Sequence, residues 1–347
     1  MNLEYKKFAD ISLSDPFFDS LKADYIEFED WFKRKADNQA YVFYSEDGTL
    51  DGFLYLKEEN EEVTDVTPPL PLGRRLKVGT FKINAHGTKL GERFVKKIFD
   101  SAISRNCKDL YLTVFPKHKG LIQLIEKYGF AHAGVKTTHN GTEDVYRKIL
   151  EWNGENTVSN YPLVRLNHKC YILALKPIWH TRLLPDSILR NENQDIVQDL
   201  SHTNSIRKVY LTNMRGTDGL RPRDVIVIYR TSPDGNAEYR SVATSVCVVQ
   251  KVSHISQFHS LNDFIEYCAP FSVFTESELK KFYATKEYPT IIKFTYNIAL
   301  PKRPNRKALI DEVGCTRDQY WGFFELTKNQ FKKLMHLGGA NESLIVD

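Results

Sequence analysis

The segment from Phe81 to Phe94 constrains this chain most. It reads Phe-Lys-Ile-Asn-Ala-His-Gly-Thr-Lys-Leu-Gly-Glu-Arg-Phe. A β-forming run enters a glycine-containing turn, and a helix pattern follows with Leu90, Phe94, Ile98 and Ala102 on one face. Such a unit needs a sheet to hold the strand and a core to bury the helix stripe. The first turn of a helix leaves backbone N–H groups unpaired at the positive end of the dipole, a ready site for a phosphate-bearing ligand. Gly87 and Gly91 are expected to let such a ligand approach the backbone, and Lys89 and Arg93 to add positive charge.

The flanking pattern predicts a mixed α/β domain with a central sheet. Residues 40–44 and 53–56 alternate around Asp47-Gly48, which marks a hairpin. An acidic stretch from Lys57 to Asp65 and a proline-rich loop at 67–71 precede a strand over 76–83 and a helix over 87–104. A strand at 110–115 leads to a helix over 120–128 closed by Gly129, and 135–138 pairs with 145–150 across a turn at 139–142. Residues 151–164 are polar, turn-rich and aperiodic, so they are read as a linker between domains at 1–150 and 165–347. The second half is mainly β. Strands are expected at 170–175, 208–211, 225–229, 239–252 and 290–297, with short helices at 261–267, 276–283 and 328–337, which suggests a small closed or partly closed barrel.

Composition removes several classes. The chain has 347 residues, enough for two cores. Its purest apolar run, Val225 to Tyr229, is far short of the roughly 20 residues a membrane helix needs. The N-terminal sequence lacks the apolar centre of a secretory signal, and five cysteines without short spacings make a poor disulfide framework, so a cytoplasmic protein with reduced thiols is expected. His254, His259, Cys247 and Cys268 fit no metal-ligand spacing. The net charge of +4 conceals a division: residues 1–70 carry −10, residues 71–150 carry +10, and the remainder +4. The basic block begins where the anion site is expected.

The 81–94 segment resembles the acyl-CoA-binding motif of the GNAT N-acetyltransferase superfamily, (Arg/Gln)-x-x-Gly-x-(Gly/Ala). His86 falls on the first position, Lys89 on the first glycine and Gly91 on the last, so two of three positions depart from the pattern. Leu124-Ile125-Glu126-Lys127-Tyr128-Gly129-Phe130 is similar to the family's Leu-Tyr-Glu-Lys-x-Gly-Phe ending, and the element order over about 30–150 agrees. The resemblance implies acetyl-CoA as cosubstrate, with its pyrophosphate at His86, Gly87, Thr88, Lys89, Leu90 and Gly91. It implies a pantetheine arm paired with the backbone of Phe81 to Ile83, and His118 in the place of a cofactor-binding Asn. The family's general acid is a Tyr where this chain has Ile125, so the sequence assigns no catalytic residue. A base is sought among Glu58, Glu59, Glu61, Glu62 and Asp65.

The run Ile172-Leu173-Ala174-Leu175-Lys176-Pro177-Ile178-Trp179 resembles the opening of ASCH and related PUA-like β-barrels, over about 165–340. The resemblance implies RNA as a partner, met by Lys176, Trp179, His180, Arg182, Arg215, Arg221 and Arg223. The expected fold is therefore a GNAT-like α/β (α+β) domain followed by a mainly-β PUA-like barrel. The expected function is acetyl transfer to an amine, on RNA or an RNA-linked acceptor. Two alternatives stand beside it: a non-catalytic RNA-binding or regulatory protein with a degenerate GNAT domain, and a protein or small-amine acetyltransferase whose barrel is structural.

Overall fold

A computed structural model describes residues 2–45, 47–84, 90–184 and 205–347. The chain divides into two compact units, residues 1–151 and 152–347. Among the described residues no helix is long and apolar enough to cross a membrane. The five cysteines are buried and unbridged.

The first unit is built on a seven-stranded sheet in the order β1-β2-β3-β4-β5-β7-β6. Its strands are β1 (Asn2–Lys7), β2 (Gln39–Tyr44), β3 (Leu50–Val63), β4 (Leu70–Ile83), β5 (Asp109–Val114), β6 (Ala131–Thr138) and β7 (Gly141–Ile149). All neighbours are antiparallel except β4 and β5, which run parallel. Parallel neighbours need a crossover, and α3 (Leu90–Ser104) supplies it. Its apolar stripe packs on the sheet: a Cβ on Gly52 of β3 would lie 2.4 Å from the Phe94 ring, so only glycine fits there. The next residue, Phe53, points to the opposite face. There it meets Phe18 and Phe32, brought by the turn ahead of α1 (Asp19–Asp24) and by α2 (Phe28–Arg34). The helix α4 (Lys119–Lys127) packs beside α3.

Two features of this unit differ from the sequence reading. The acidic stretch is strand: β3 runs on to Val63, and Glu58 reaches Arg74 of β4 at 2.6 Å. Opposite charges on neighbouring strands offset the poor strand propensity of glutamate and asparagine. The tip of the β3–β4 hairpin then folds over to β6, where Thr67 and Val135 exchange two backbone hydrogen bonds of 2.8 and 2.9 Å.

The second unit carries a six-stranded sheet, in chain order β9 (Cys170–Leu175), β10 (Arg207–Thr212), β11 (Val225–Arg230), β12 (Val242–His254), β13 (Thr290–Ala299) and β14 (Phe323–Leu326). Its spatial order is β10-β13-β12-β11-β9-β14. The expected barrel is not closed, because β10 and β14 stand at opposite edges and do not pair with each other among the described residues. The helix α5 (Pro177–Leu183) follows β9, α6 (Ala237–Arg240) joins β11 to β12, and α7 (Leu261–Cys268) and α8 (Glu276–Thr285) separate β12 from β13. The helices α9 (Arg306–Asp311) and α10 (Lys328–Gly338) complete the unit. One core holds Leu173, Ile226, Ile228, Phe264, Leu279 and Ile292. The polar stretch expected to link the domains is packed within this unit. Asn160, Tyr161 and Leu163 are buried, Asn297 donates to the Pro162 and Leu163 carbonyls, and β8 (Val164–Arg165) pairs with β15 (Ile345–Val346).

Candidate functional site

The site of the first unit begins where its two parallel strands part. Pairing between β4 and β5 runs from Arg75 opposite Asp109 to Val78 opposite Leu112 and stops there, although β4 continues to Ile83 and β5 to Val114. The other edge of β4 stays bonded to β3 as far as Ile83. Residues 79–83 therefore show one backbone edge with no strand partner among the described residues, in the middle of a sheet. At the closed end of this fork a buried network holds the register. The Arg75 guanidinium, 1% exposed, donates to Asp109 at 3.2 Å and to the Glu61 and Pro71 carbonyls, and Arg147 grips Asp109 with two bonds of 2.9 Å.

Gly79 marks the point of divergence. Val78 pairs with Leu56 and Thr80 with Tyr55, so Gly79 is an extra residue, a β-bulge. The bulge shifts the alternation of side chains. Lys77 and Lys82 fall on the face of α1 and α2, while Val78 and Phe81 turn toward α3, with Phe81 5.8 Å from Phe94. A Cβ on Gly79 would meet the Tyr55 ring at 2.8 Å, which explains glycine at the bulge.

A cavity of about 690 Å³ opens from this fork. The open edge of β4, the end of β5, the start of α4 and the inner sides of α1 and α2 line it. Of its four lining carboxylates, Asp24, Glu27, Glu59 and Glu143, the last two are buried. Glu59 of β3, 6% exposed, accepts from the Tyr111 hydroxyl at 2.5 Å and from Lys57 at 2.9 Å, with Lys77 at 3.7 Å. Burial raises its affinity for a proton, but the bonds from Tyr111 and Lys57 and the charge of Lys77 outweigh that and hold the carboxyl below its ordinary range. Glu143 of β7 is 3% exposed. Its Oε1 accepts from Tyr25 at 2.6 Å and from Thr113 at 3.1 Å, and Oε2 takes no hydrogen bond among the described residues. Burial, then the bond to Glu143, pushes the Tyr25 phenol far above its usual range. Burial pushes the Lys77 ammonium below its ordinary value against the pull of Glu59, and burial does the same to Lys82.

The sequence candidates for the base separate cleanly. Glu59 alone of the five is buried; Glu58 pairs with Arg74, Asp65 with Lys136 at 2.6 Å, and Glu61 and Glu62 are exposed. Glu143 and Tyr25 were not among the candidates. They come from elements 118 residues apart, and only the alternation that puts Tyr111 and Thr113 on one face of β5 hints at a polar lining. Ile125 and Tyr128 are both buried.

Phe81 and Ile83 lie on the open edge of β4, and Leu90 begins α3. His86, Gly87, Thr88 and Lys89 lie outside the described residues. Gly91 serves packing, since a Cβ there would lie 2.8 Å from a Leu124 methyl of α4. His118 stands at the N-cap of α4, its Nε2 3.2 Å from Asp24, which also binds Lys117.

In the second unit the RNA candidates are mostly engaged. Trp179 packs edge-on to Phe274 at 4.8 Å with the Arg182 guanidinium over it, and Arg182 also donates to the Val273 carbonyl. The Arg221 guanidinium turns back on the Asp218 and Leu220 carbonyls, and Arg223 pairs with Glu155. His180 is buried with Nε2 2.8 Å from Thr244. Lys176 and Arg215 are exposed.

Residues 5–130 match the Acetyltransferase (GNAT) family, a match that begins and ends earlier than the resemblance at about 30–150. No curated protein matches the chain. Similar solved structures include Naa20 of Chaetomium thermophilum in complex with a bisubstrate analogue, 15% identical over 43% of this chain and 86% of that one, with a TM-score of 0.32. A GNAT-family acetyltransferase of Streptococcus agalactiae is 19% identical over 37% of this chain and 75% of its own, at 0.28. The ASCH protein of Zymomonas mobilis is 11% identical over 49% of this chain and 95% of its own, at 0.32.

Proposed function

We propose that the first unit binds acetyl-CoA between the parted strands and transfers the acetyl group to an amine held at the carboxylates of the cleft. The observation that carries this reading is the unpaired edge of β4 at 79–83 beside a cavity of about 690 Å³. An edge of free backbone groups binds an extended, amide-bearing molecule as if it were a strand, and a pantetheine arm has that chemistry. When bound, acetyl-CoA supplies an acetyl group activated as a thioester. The chain supplies position and a proton acceptor. Glu143 fits the second task, because Oε1 is fixed by Tyr25 and Thr113 while Oε2 takes no bond from the described residues. Glu59, with both oxygens engaged, fits the role of a fixed negative charge.

That the acceptor is RNA or RNA-linked rests on the ASCH-like resemblance of the second unit. Three of its five principal candidates, Trp179, Arg221 and Arg223, are committed to contacts within the unit, so a protein or small-molecule amine fits the cleft at least as well. Calorimetric titration of the full chain with acetyl-CoA tests the cleft. Saturable binding that is lost in Gly87→Glu supports it, and no binding by the unaltered chain would leave the cleft as architecture. A gel shift with RNA at rising salt tests the acceptor: salt-dependent retardation favours RNA, and none favours the other amines.

A further inference from the structure

The mechanism above leaves Lys77 without a task. It lies on β4 one residue before the last paired position, on the cleft side, at the closed end of the fork. Its side chain is 24% exposed, its Nζ is 3.7 Å from Glu59 Oε1, and it lies 5.4 Å from the centre of the Tyr111 ring. A ligand that enters from the Ile83 end and follows the open edge travels five residues, about 16 Å at ~3.3 Å per residue, and ends at this lysine. Of the other lining lysines, Lys57 stands opposite Lys77 in register and also meets Glu59, but it is 44% exposed and lies on β3, away from the open edge. Lys82 donates to Ser20 and the Phe17 carbonyl, Lys117 is held by Asp24 and Lys136 by Asp65.

We propose that Lys77 is a site of self-acetylation, modified by acetyl-CoA bound in its own cleft when no acceptor amine is present. This rests on the reading that the cleft holds acetyl-CoA. The neutral Nζ attacks the thioester carbonyl carbon; a C–N bond forms, the C–S bond breaks, and the CoA thiolate leaves. The proton released from nitrogen passes to water in the cleft, while Glu59 keeps its negative charge beside the reacting nitrogen. Burial favours the neutral amine, which is the nucleophilic form. The product is an uncharged amide at the floor of the cleft. It removes one cation from Glu59 and occupies space an acceptor would use, so the modified chain is slowed toward its acceptor.

The test is incubation of the full chain with acetyl-CoA, read by intact mass and by peptide mapping, with acetyl-CoA binding measured on the same preparation. The expected result is one added acetyl group, on Lys77, absent in Lys77→Arg and retained in Lys57→Arg. Lys57 is the discriminating control, because it also touches Glu59 but is 44% exposed, and solution acetylation favours exposed lysines. Desacetyl CoA should also protect Lys77 from an amine-reactive label, a readout that needs no turnover. The extent of modification should rise with pH and level off below the ordinary lysine value of 10.5. Binding of acetyl-CoA with Lys77 unmodified, or equal modification of Lys77→Arg, overturns this inference and leaves the acetyltransferase reading standing. Absence of binding overturns both.

Discussion

Two buried carboxylates distinguish themselves by what their oxygens already do. Glu59 is surrounded by a phenol and two ammonium groups, whereas Glu143 is held by one oxygen only. A proton acceptor needs a free lone pair, so Glu143→Gln should lower kcat about a hundredfold or more, the usual scale for removing a general base. The titration with acetyl-CoA should be unchanged in that variant, since the amide preserves shape. Loss of both binding and rate would show a structural role instead. Of this pair the sequence offered Glu59 among five acidic neighbours and did not offer Glu143. The former stands in a visibly acidic run, while the latter joins the cleft only because β7 lies against β5 and Tyr25 reaches across from the end of α1. Gly91 sits in the motif read as a pyrophosphate site, and the space its missing Cβ leaves is filled by Leu124, a packing reason for glycine that the sequence does not display.

At the scale of elements, the order hairpin, strand, helix, strand, helix, hairpin is present from β2 to β7, because periodicity and turn residues there agree with the tertiary structure. The reading failed where they conflict. The charged half of β3 is strand only through pairing with β4. The aromatic cluster of Phe17 and Phe18, in the turn ahead of α1, with Phe28 and Phe32 of α2, lacks a clear helical stripe in such short segments. The closed end of the fork depends on Asp109, which faces two guanidinium groups. Asp109→Ala leaves Arg75 buried without its counter-charge, and breaking such a pair costs about 3–5 kcal/mol. Chemical denaturation should show the loss as a lower midpoint for the first unit. A midpoint within error of the parent would mean that the Glu61 and Pro71 carbonyls suffice to hold Arg75.

For the molecule as a whole, two units with separate cores are expected to respond differently to acid. His180 is buried in the second unit, and burial, then the charges of Arg230 and Arg303, lower its pKa from 6.5 to about 3. The unfolded chain therefore binds a proton below pH 6.5 that the folded unit refuses down to about 3. The stability contributed by the neutral ring is complete above 6.5 and is lost as the pH falls, at about 1.4 kcal/mol per pH unit. Melting curves of the parent and His180→Gln between pH 7 and 4 should converge as the medium becomes acidic. Parallel curves would show that His180 is not the group responsible. The second unit was legible as mainly β from its strands. Its open sheet was not, because closure depends on whether β10 and β14 meet, which no local pattern encodes.

The gap between β4 and β5 also bears on how long the protein lasts. On the proposed reading a ligand pairs with the β4 edge left open beyond Val78, so its occupancy would add to folding free energy, by about 2.7 kcal/mol at a ligand concentration a hundred times Kd. In a cell, proteases sample the opened chain, and a starved molecule opens more often than a supplied one. The abundance of this protein would then follow the supply of its ligand, with no regulator other than the sheet.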